Sequence, residues 1–403
     1  MLNEQAIDKL LQPIIQRQED INLYVLNFLA ERIKDIDGLL PSDVYTIQRL
    51  IAQGTDVKQL QKELAKMTDN SVSEIRNIIY EVAKDSYKDT LPFFKYRGIK
   101  FIPFFENVEL QRVVQAIAKQ TEEQYTNIAK AQAFMLRDTA TNKLKPTSLS
   151  NTYQQVLDKA IQASQQGVLS YNQATSPILQ ELVESGLRTV TYHPESGRTY
   201  TQRLDTAVRR NLLDGIRAIN QGVQDTVGEQ FGADGKEITV HANPAPDHCD
   251  CQGHQFTNEE YEKMQNDMDF TDVQGRHYKA FPRAIGTLNC RHFSYSIIVG
   301  VTNSNYTDSQ LQNIIDTNNQ GYVFKLKNGK TKEFTRYECT QKQREYELKI
   351  RQLRELLQVA ETANNTELIS KTKAKIFEKI SEYKSFSKAC KLKPRMEKTL
   401  VKY

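Results

Sequence analysis

The sequence predicts a mainly α-helical protein that carries one small α+β module, and three observations lead there. Through most of the chain, apolar residues recur at three- and four-residue steps in a composition rich in Gln, Lys, Glu, Leu and Ala, the mark of amphipathic helices. From Arg188 onward this rhythm is interrupted by short β-forming runs and turns, including alternating residues on either side of Asn328-Gly329. Five of the six histidines and three of the five cysteines gather between His241 and His292, so one short stretch concentrates the side chains that hold soft metals. The predicted organisation is a helical domain over residues 1–186, a His/Cys-rich α+β module over 187–304, a short helix with a β-hairpin over 305–336, and a basic helical tail over 337–403.

Length and composition bound the class. A chain of 403 residues can bury a sizeable core in two or three domains, and 39% hydrophobic with 26% charged residues is the balance of a soluble protein. The opening MLNEQAIDKLLQP lacks the basic start and apolar run of a signal peptide, and eighteen apolar residues never run together, so neither export nor membrane spanning is expected. Five scattered cysteines, an odd number, fit a reducing compartment better than a disulfide framework. The phosphate loop, the Gly-x-Ser-x-Gly elbow and His-Glu-x-x-His are all absent.

In chain order, Ile7, Leu10, Leu11 and Ile14 form the first helical stripe, which Pro13 is expected to kink or restart. A second run through Leu23, Leu26, Phe28, Leu29 and Ile33 stops at Asp37-Gly38, and Pro41-Ser42-Asp43 opens another helix. Leu91-Pro92-Phe93-Phe94 and Ile102-Pro103-Phe104-Phe105 repeat an apolar-Pro-Phe-Phe pattern. It reads either as a docking patch or as aromatics wedged into a helical bend, and the second reading is preferred. A long helical region is expected from Asn107 to about Asp138, then a polar loop through Asn142–Pro146, then helices to Gly186. Arg188 to Tyr192 reads as a strand and Pro194–Gly197 as a turn. A helix from about Tyr200 to Gln230 follows, whose Arg203, Arg209, Arg210 and Arg217 suit a solvated face or acidic partners better than phosphates. Glu237–His241 and Tyr295–Val301 are strands entering and leaving the cluster, with a short helix opening at Asn258-Glu259-Glu260. Asp308–Ile315, a hairpin around Asn328-Gly329, and two tail helices from Cys339 complete the chain.

Imidazole and thiolate both give a lone pair to a borderline-soft cation, most plausibly zinc, which takes four ligands from two close pairs. Cys290 and His292 form one pair. The second is open between His248, Cys249, Cys251 and His254 on one side and the wider His241 and His248 on the other. No C-x-x-C spacing decides it, and hydrogen-bonding use of these residues without metal stays open. A polar, loop-rich segment with little apolar area gains most from a metal staple.

His241, Asp247-His248, Gln252-Gly253 and Asn289-Cys290-Arg291-His292 together resemble the motif core of the phage minor capsid protein 2 family, relatives of the Mu F-like head morphogenesis proteins. The resemblance extends upstream through Gly186–Arg210 (GLRTVTYHPESGRTYTQRLDTAVRR) and downstream to Gln341–Arg351 (QKQREYELKIR), covering roughly residues 170 to 355. It carries His241, His248, Cys290 and His292 as the ligand set. It does not carry Cys249 and Cys251, which stand where the family has a small and an aromatic residue. Membership implies a structural minor head protein of a tailed phage or prophage inside the virion, made in the bacterial cytoplasm. Portal and capsid proteins would be its partners, with a role in head assembly or in DNA packaging and delivery. The rival functions are a metal-dependent nuclease, with Asp247-His248 near Asn289 and His292 as its machinery, and a prophage-derived toxin or effector on the same module.

The tail concentrates charge. Residues 371–403 hold eleven Lys and Arg against three Glu, a net +8 in a chain whose total is +4. Lys371, Lys373, Lys375, Lys379, Lys391, Lys393 and Arg395 are therefore the candidate contacts to packaged DNA or an acidic protein face. The apolar stripe of Ile376, Phe377, Ile380 and Tyr383 leaves open that the tail docks on protein with its lysines in solvent.

Overall fold

The computed structural model describes residues 4–37, 54–138, 140–165, 170–193, 198–280, 284–286, 290–325 and 329–401. The predicted helix start at Pro41-Ser42-Asp43, the turn at Pro194–Gly197, and Asn289 and Asn328 lie outside them. Mainly helical structure with small antiparallel sheets is what the chain adopts. It forms two compact units, each assembled from three separate segments: Met1–Pro13, Val72–Gln124 and Arg209–Gln341 in the first, Ile14–Ser71, Tyr125–Val208 and Lys342–Tyr403 in the second.

In the first unit, the second half of α2 (Thr55–Lys88) and most of α4 (Val108–Lys130) and α7 (Leu204–Phe231) contribute long apolar stripes. Ile216, Ile219, Val223 and Val227 of α7 are wholly buried. The crossing of α7 on α4 is close because residue 215 is glycine, where an added Cβ would lie 2.6 Å from Thr121 Oγ1. Polar groups buried beside this stripe pair with one another. Ser86 Oγ donates to Asn220 Oδ1 at 2.9 Å, Asn220 Nδ2 to the Ser294 carbonyl at 3.1 Å, and the Ser296 amide to Gln224 Oε1 at 2.9 Å. Those bonds fasten the edge of a three-stranded sheet, order β6-β5-β9, to the helices.

That sheet comprises β5 (Gly235–Ile238), β6 (Gln255–Thr257) and β9 (Ser294–Ile297), antiparallel throughout, with Gly235 opposite both Thr257 and Ile297. The short helix α8 (Asn258–Gln265) starts as predicted, on a reciprocal cap: the Thr257 side chain accepts from the Glu260 amide while Glu260 accepts from the Thr257 amide. A two-stranded ribbon of β7 (Phe270–Thr271) and β8 (His277–Tyr278) follows, then α9 (Asp308–Asn319) and the hairpin of β10 (Tyr322–Lys325) with β11 (Thr331–Phe334). The Pro-Phe-Phe repeat includes α3 (Leu91–Arg97) and divides its aromatics. Phe94 and Phe104 are buried and Phe93 stacks on Phe231 at 4.9 Å, whereas Tyr96 and Phe105 are 62% and 69% exposed.

The second unit holds a four-stranded antiparallel sheet, order β2-β1-β3-β4, from β1 (Gln132–Arg137), β2 (Leu144–Ser148), β3 (Arg188–His193) and β4 (Arg198–Arg203). Its first two strands occupy the stretch read as the end of a long helix and a polar loop, and β4 takes the residues read as the start of the next helix. The turn explains the first difference: Asp138 accepts from the Thr141 amide and hydroxyl, each at 2.8 Å, and from Lys145 Nζ at 2.8 Å, folding β1 back on β2. Pro13 does not restart α1 (Glu4–Lys34), a single helix whose Leu11 and Ile14 are fully buried around the proline. Helices α5 (Leu149–Gln165) and α6 (Tyr171–Ser185) cover the sheet, and α10 (Arg336–Thr362) and α11 (Thr366–Ala389) form the two-helix tail.

The tail is integral to its unit. Tyr383 and Phe386 are fully buried, Arg395 grips Glu347 through two bonds of 2.9 and 2.8 Å, and Asn365 caps α11 while donating to the Asn172 carbonyl at 2.8 Å. A buried ionic group adds to the packing, with Arg203 bonded to Glu355 at 3.0 Å and Arg351 bonded to Glu19 and to Asp205. Burial raises Glu19 to about 7, against the opposing pull of Arg351.

Candidate metal centre

The sheet of the first unit delivers the site. Beyond β5, the Thr239 amide donates to the Phe293 carbonyl at 2.9 Å and the Phe293 amide to Thr239 Oγ1 at 2.9 Å, so the segments carrying His241 and His292 leave the sheet side by side. The single 3-10 turn Pro246–His248 presents His248. The chain then doubles back at Gly253, whose φ of +74° and closeness to Leu311 and Val240, 2.4 and 2.7 Å from a would-be Cβ, admit no side chain.

Three side chains converge there. Cys290 Sγ lies 3.4 Å from His248 Nδ1 and 3.2 Å from His292 Nδ1, and the three residues are 6%, 1% and 1% exposed. Their ligand atoms all fall within 4.8 Å of one another, a group able to hold a metal ion. Tetrahedral zinc with nitrogen and sulfur ligands would set such atoms about 3.5 Å apart. Asp247 Oδ2 stands 3.8 Å from His248 Nε2, too far for a hydrogen bond, whereas the opposite ring nitrogen of His292 is held from behind, Nε2 lying 3.2 Å from Gln252 Oε1. This is the arrangement that fixes ring orientation in metal-ligating histidines. The thiol is also prepared. Burial would raise it, but the hydrogen bond and charge of His248 with the backbone groups of Gly286 and His292 hold it below its ordinary value.

His241 stands beside this group rather than among its inner atoms. Its ring packs on that of His292 at 4.2 Å between centroids, and its amide donates to Gln252 Oε1 at 3.2 Å. The alternates face elsewhere. Cys251 is fully buried in an apolar cluster with Ile238, Phe256, Met264 and Tyr278, and burial pushes its thiol well up. Cys249 accepts from Asn318 Nδ2 at 3.8 Å, with burial pushing its thiol up to about 11. His254 sits against the Arg276 guanidinium, and burial followed by that charge lowers it to about 4. Asp247 and Gln252 were quoted as part of the motif, but residue type alone did not give them a place beside the histidine rings.

The arginines of α7 are paired with acids as expected, Arg209 with Asp8 at 2.8 Å and Arg217 with Asp214 at 3.1 Å. In the tail, Lys371 pairs with Glu367, Lys373 with Glu361 at 3.5 Å, and Lys379 with Glu382 at 2.6 Å, while Lys375, Lys391 and Lys393 are exposed.

The sequence profile of one family, described as phage minor capsid protein 2, matches residues 2–387. The chain belongs to this family. Membership makes it a phage structural protein and a component of the virion, and it extends the likeness from the central motifs over nearly the whole chain, leaving Lys391, Lys393 and Arg395 beyond the match. No curated protein and no solved structure matches. Among the described residues of this minor capsid family member, no helix is long and apolar enough to cross a membrane.

Proposed function

We propose that this minor capsid protein sits inside the phage head near the portal and acts in head assembly or in DNA packaging and delivery. The observation that carries the reading is the family match along residues 2–387. His248, Cys290 and His292 hold a structural zinc, with His241, whose ring packs on that of His292, offered for the fourth position. The deep burial of all three ligands supports a staple over a catalytic ion, which keeps a position open to substrate. Zinc bound there would tie the turn at His248 to the strand that leaves Cys290. The exposed tail lysines contact packaged DNA or an acidic face of a neighbouring head protein.

Purified virions analysed by quantitative mass spectrometry and chemical cross-linking test the reading. A low-copy band cross-linked to the portal is expected. A protein absent from mature heads, or one that cleaves DNA in a chelator-sensitive manner, would establish the nuclease or effector instead.

A further inference from the structure

Beside the metal group, the first unit carries a half-open cavity of about 190 Å³, walled chiefly by Asp214 and Arg217 of α7, Tyr261 and Gln265 of α8, Gly286 and His292. Two of its lining residues have polar atoms without partners. The Arg217 side chain is only 6% exposed; its Nη1 donates to Asp214 Oδ1 at 3.1 Å, and its Nε has no hydrogen-bond partner. Two anionic groups bear on this charge, Cys290 in its thiolate form and Asp214, which is 42% exposed and also faces Arg210 Nε at 3.9 Å; neither takes a hydrogen bond from Nε. On the other wall, Gln265 Nε2 donates to Tyr261 Oη at 2.7 Å and to the Ile285 carbonyl at 3.4 Å. Those bonds orient the amide and leave Gln265 Oε1 without a donor. A buried charged donor without an acceptor is among the costlier features a fold can keep, so a group that both accepts and donates has a strong reason to enter.

We propose that this cavity binds a phosphate group bearing a hydroxyl, as inorganic phosphate or a singly protonated phosphomonoester. Arg217 donates to the phosphate oxygens and Gln265 Oε1 accepts from the P–OH. A planar guanidinium suits a tetrahedral oxyanion, and the acceptor opposite it selects the hydroxyl that sulfate and acetate lack at neutral pH. The cavity shares His292 as a wall with the metal group, but the two residues that would bind phosphate, Arg217 and Gln265, are not metal ligands, so phosphate binding and zinc content are read separately.

Isothermal titration of the full-length protein with inorganic phosphate, sulfate, acetate and deoxyadenosine monophosphate provides the test, with zinc content measured in every sample. Phosphate should bind saturably and about tenfold or more tighter than sulfate, a difference of about 1.4 kcal/mol. Arg217→Met should abolish binding with zinc content unchanged; it leaves Asp214 without this partner, but that carboxylate is 42% exposed and so is left to water rather than as a buried unpaired charge. Gln265→Met, a change at a half-buried position, should bind phosphate and sulfate alike. Deoxyadenosine monophosphate binding as tightly as inorganic phosphate would assign the site to phosphomonoesters; its failure beside a positive phosphate signal would assign it to the free ion. Equal affinity for phosphate and sulfate in the unmodified protein, phosphate binding retained by Arg217→Met, or no saturable binding would overturn the proposal.

Discussion

Burial alone would raise the Cys290 thiol, yet its contact with His248 and the surrounding backbone groups favour the thiolate, the form that ligates zinc. Freshly purified protein should therefore carry close to one zinc by elemental analysis. Cys290→Ala and His248→Ala should lose the metal and melt several degrees lower, because both release the staple between the His248 turn and β9. Cys249→Ala and Cys251→Ala should keep it, although Cys251→Ala removes a fully buried sulfur and should still cost about 1 kcal/mol. Absence of metal from the unmodified protein, with the four variants melting in no such order, would return the cluster to hydrogen-bonding duty. Acid should weaken binding, since protons compete for the same thiolate and imidazole lone pairs.

The Pro-Phe-Phe segment shows at the scale of an element how one repeat serves two environments. Phe94 and Phe104 point inward, and truncation of either to Ala should cost about 3–5 kcal/mol. Tyr96→Ser and Phe105→Ser, at exposed positions, should shift stability by less than about 0.5 kcal/mol. Chemical denaturation separates the pairs, and a large loss from Phe105→Ser would show that its ring is packed. Legibility followed the same distinction between local and distant causes. The helix start at Asn258-Glu259-Glu260, the hairpin of β10 and β11, and the tail helices were readable because neighbours in sequence determine them. Strands β1 and β2 were not: the pairing of Gln132 with Thr189 joins residues far apart in the chain, and the Asp138 turn, although local, carries no Asn-Gly or Pro-Gly signal. Nor could Pro13 reveal that helix α1 would run through it, a result that rests on buried Leu11 and Ile14. At the metal site, residue types and the family motif gave the convergent trio, but spacing could not separate Cys251, which packs with apolar groups, from Cys290, which faces two histidines.

Over the whole molecule, the net +8 of the last 33 residues does not reside on a loose appendage. Because Tyr383, Phe386 and Arg395 hold the tail within its unit, deleting residues 371–403 would unfold structure as well as remove charge. Replacement of exposed Lys375, Lys384, Lys388 and Lys393 by Gln is the cleaner measurement. If these four meet phosphates, the slope of log affinity against log salt for duplex DNA should fall by about 3–4, with little change in sequence preference. An unchanged slope would place DNA elsewhere.

The threefold segmentation of each unit also bears on how the protein is made. The first unit lacks its three-stranded sheet until β9 is complete at Ile297 and its last segment until Gln341, and the second lacks its second tail helix until Ala389. At about 5–20 residues per second, a ribosome that has passed Val208 needs roughly 10–40 s more to supply the rest. During that interval the early helices emerge with apolar stripes such as Leu11, Ile14, Leu26 and Leu29 still awaiting their partners. Nascent chains of this protein should therefore lean on holding chaperones until release, and fragments cut at boundaries drawn along the sequence should aggregate where the intact chain folds.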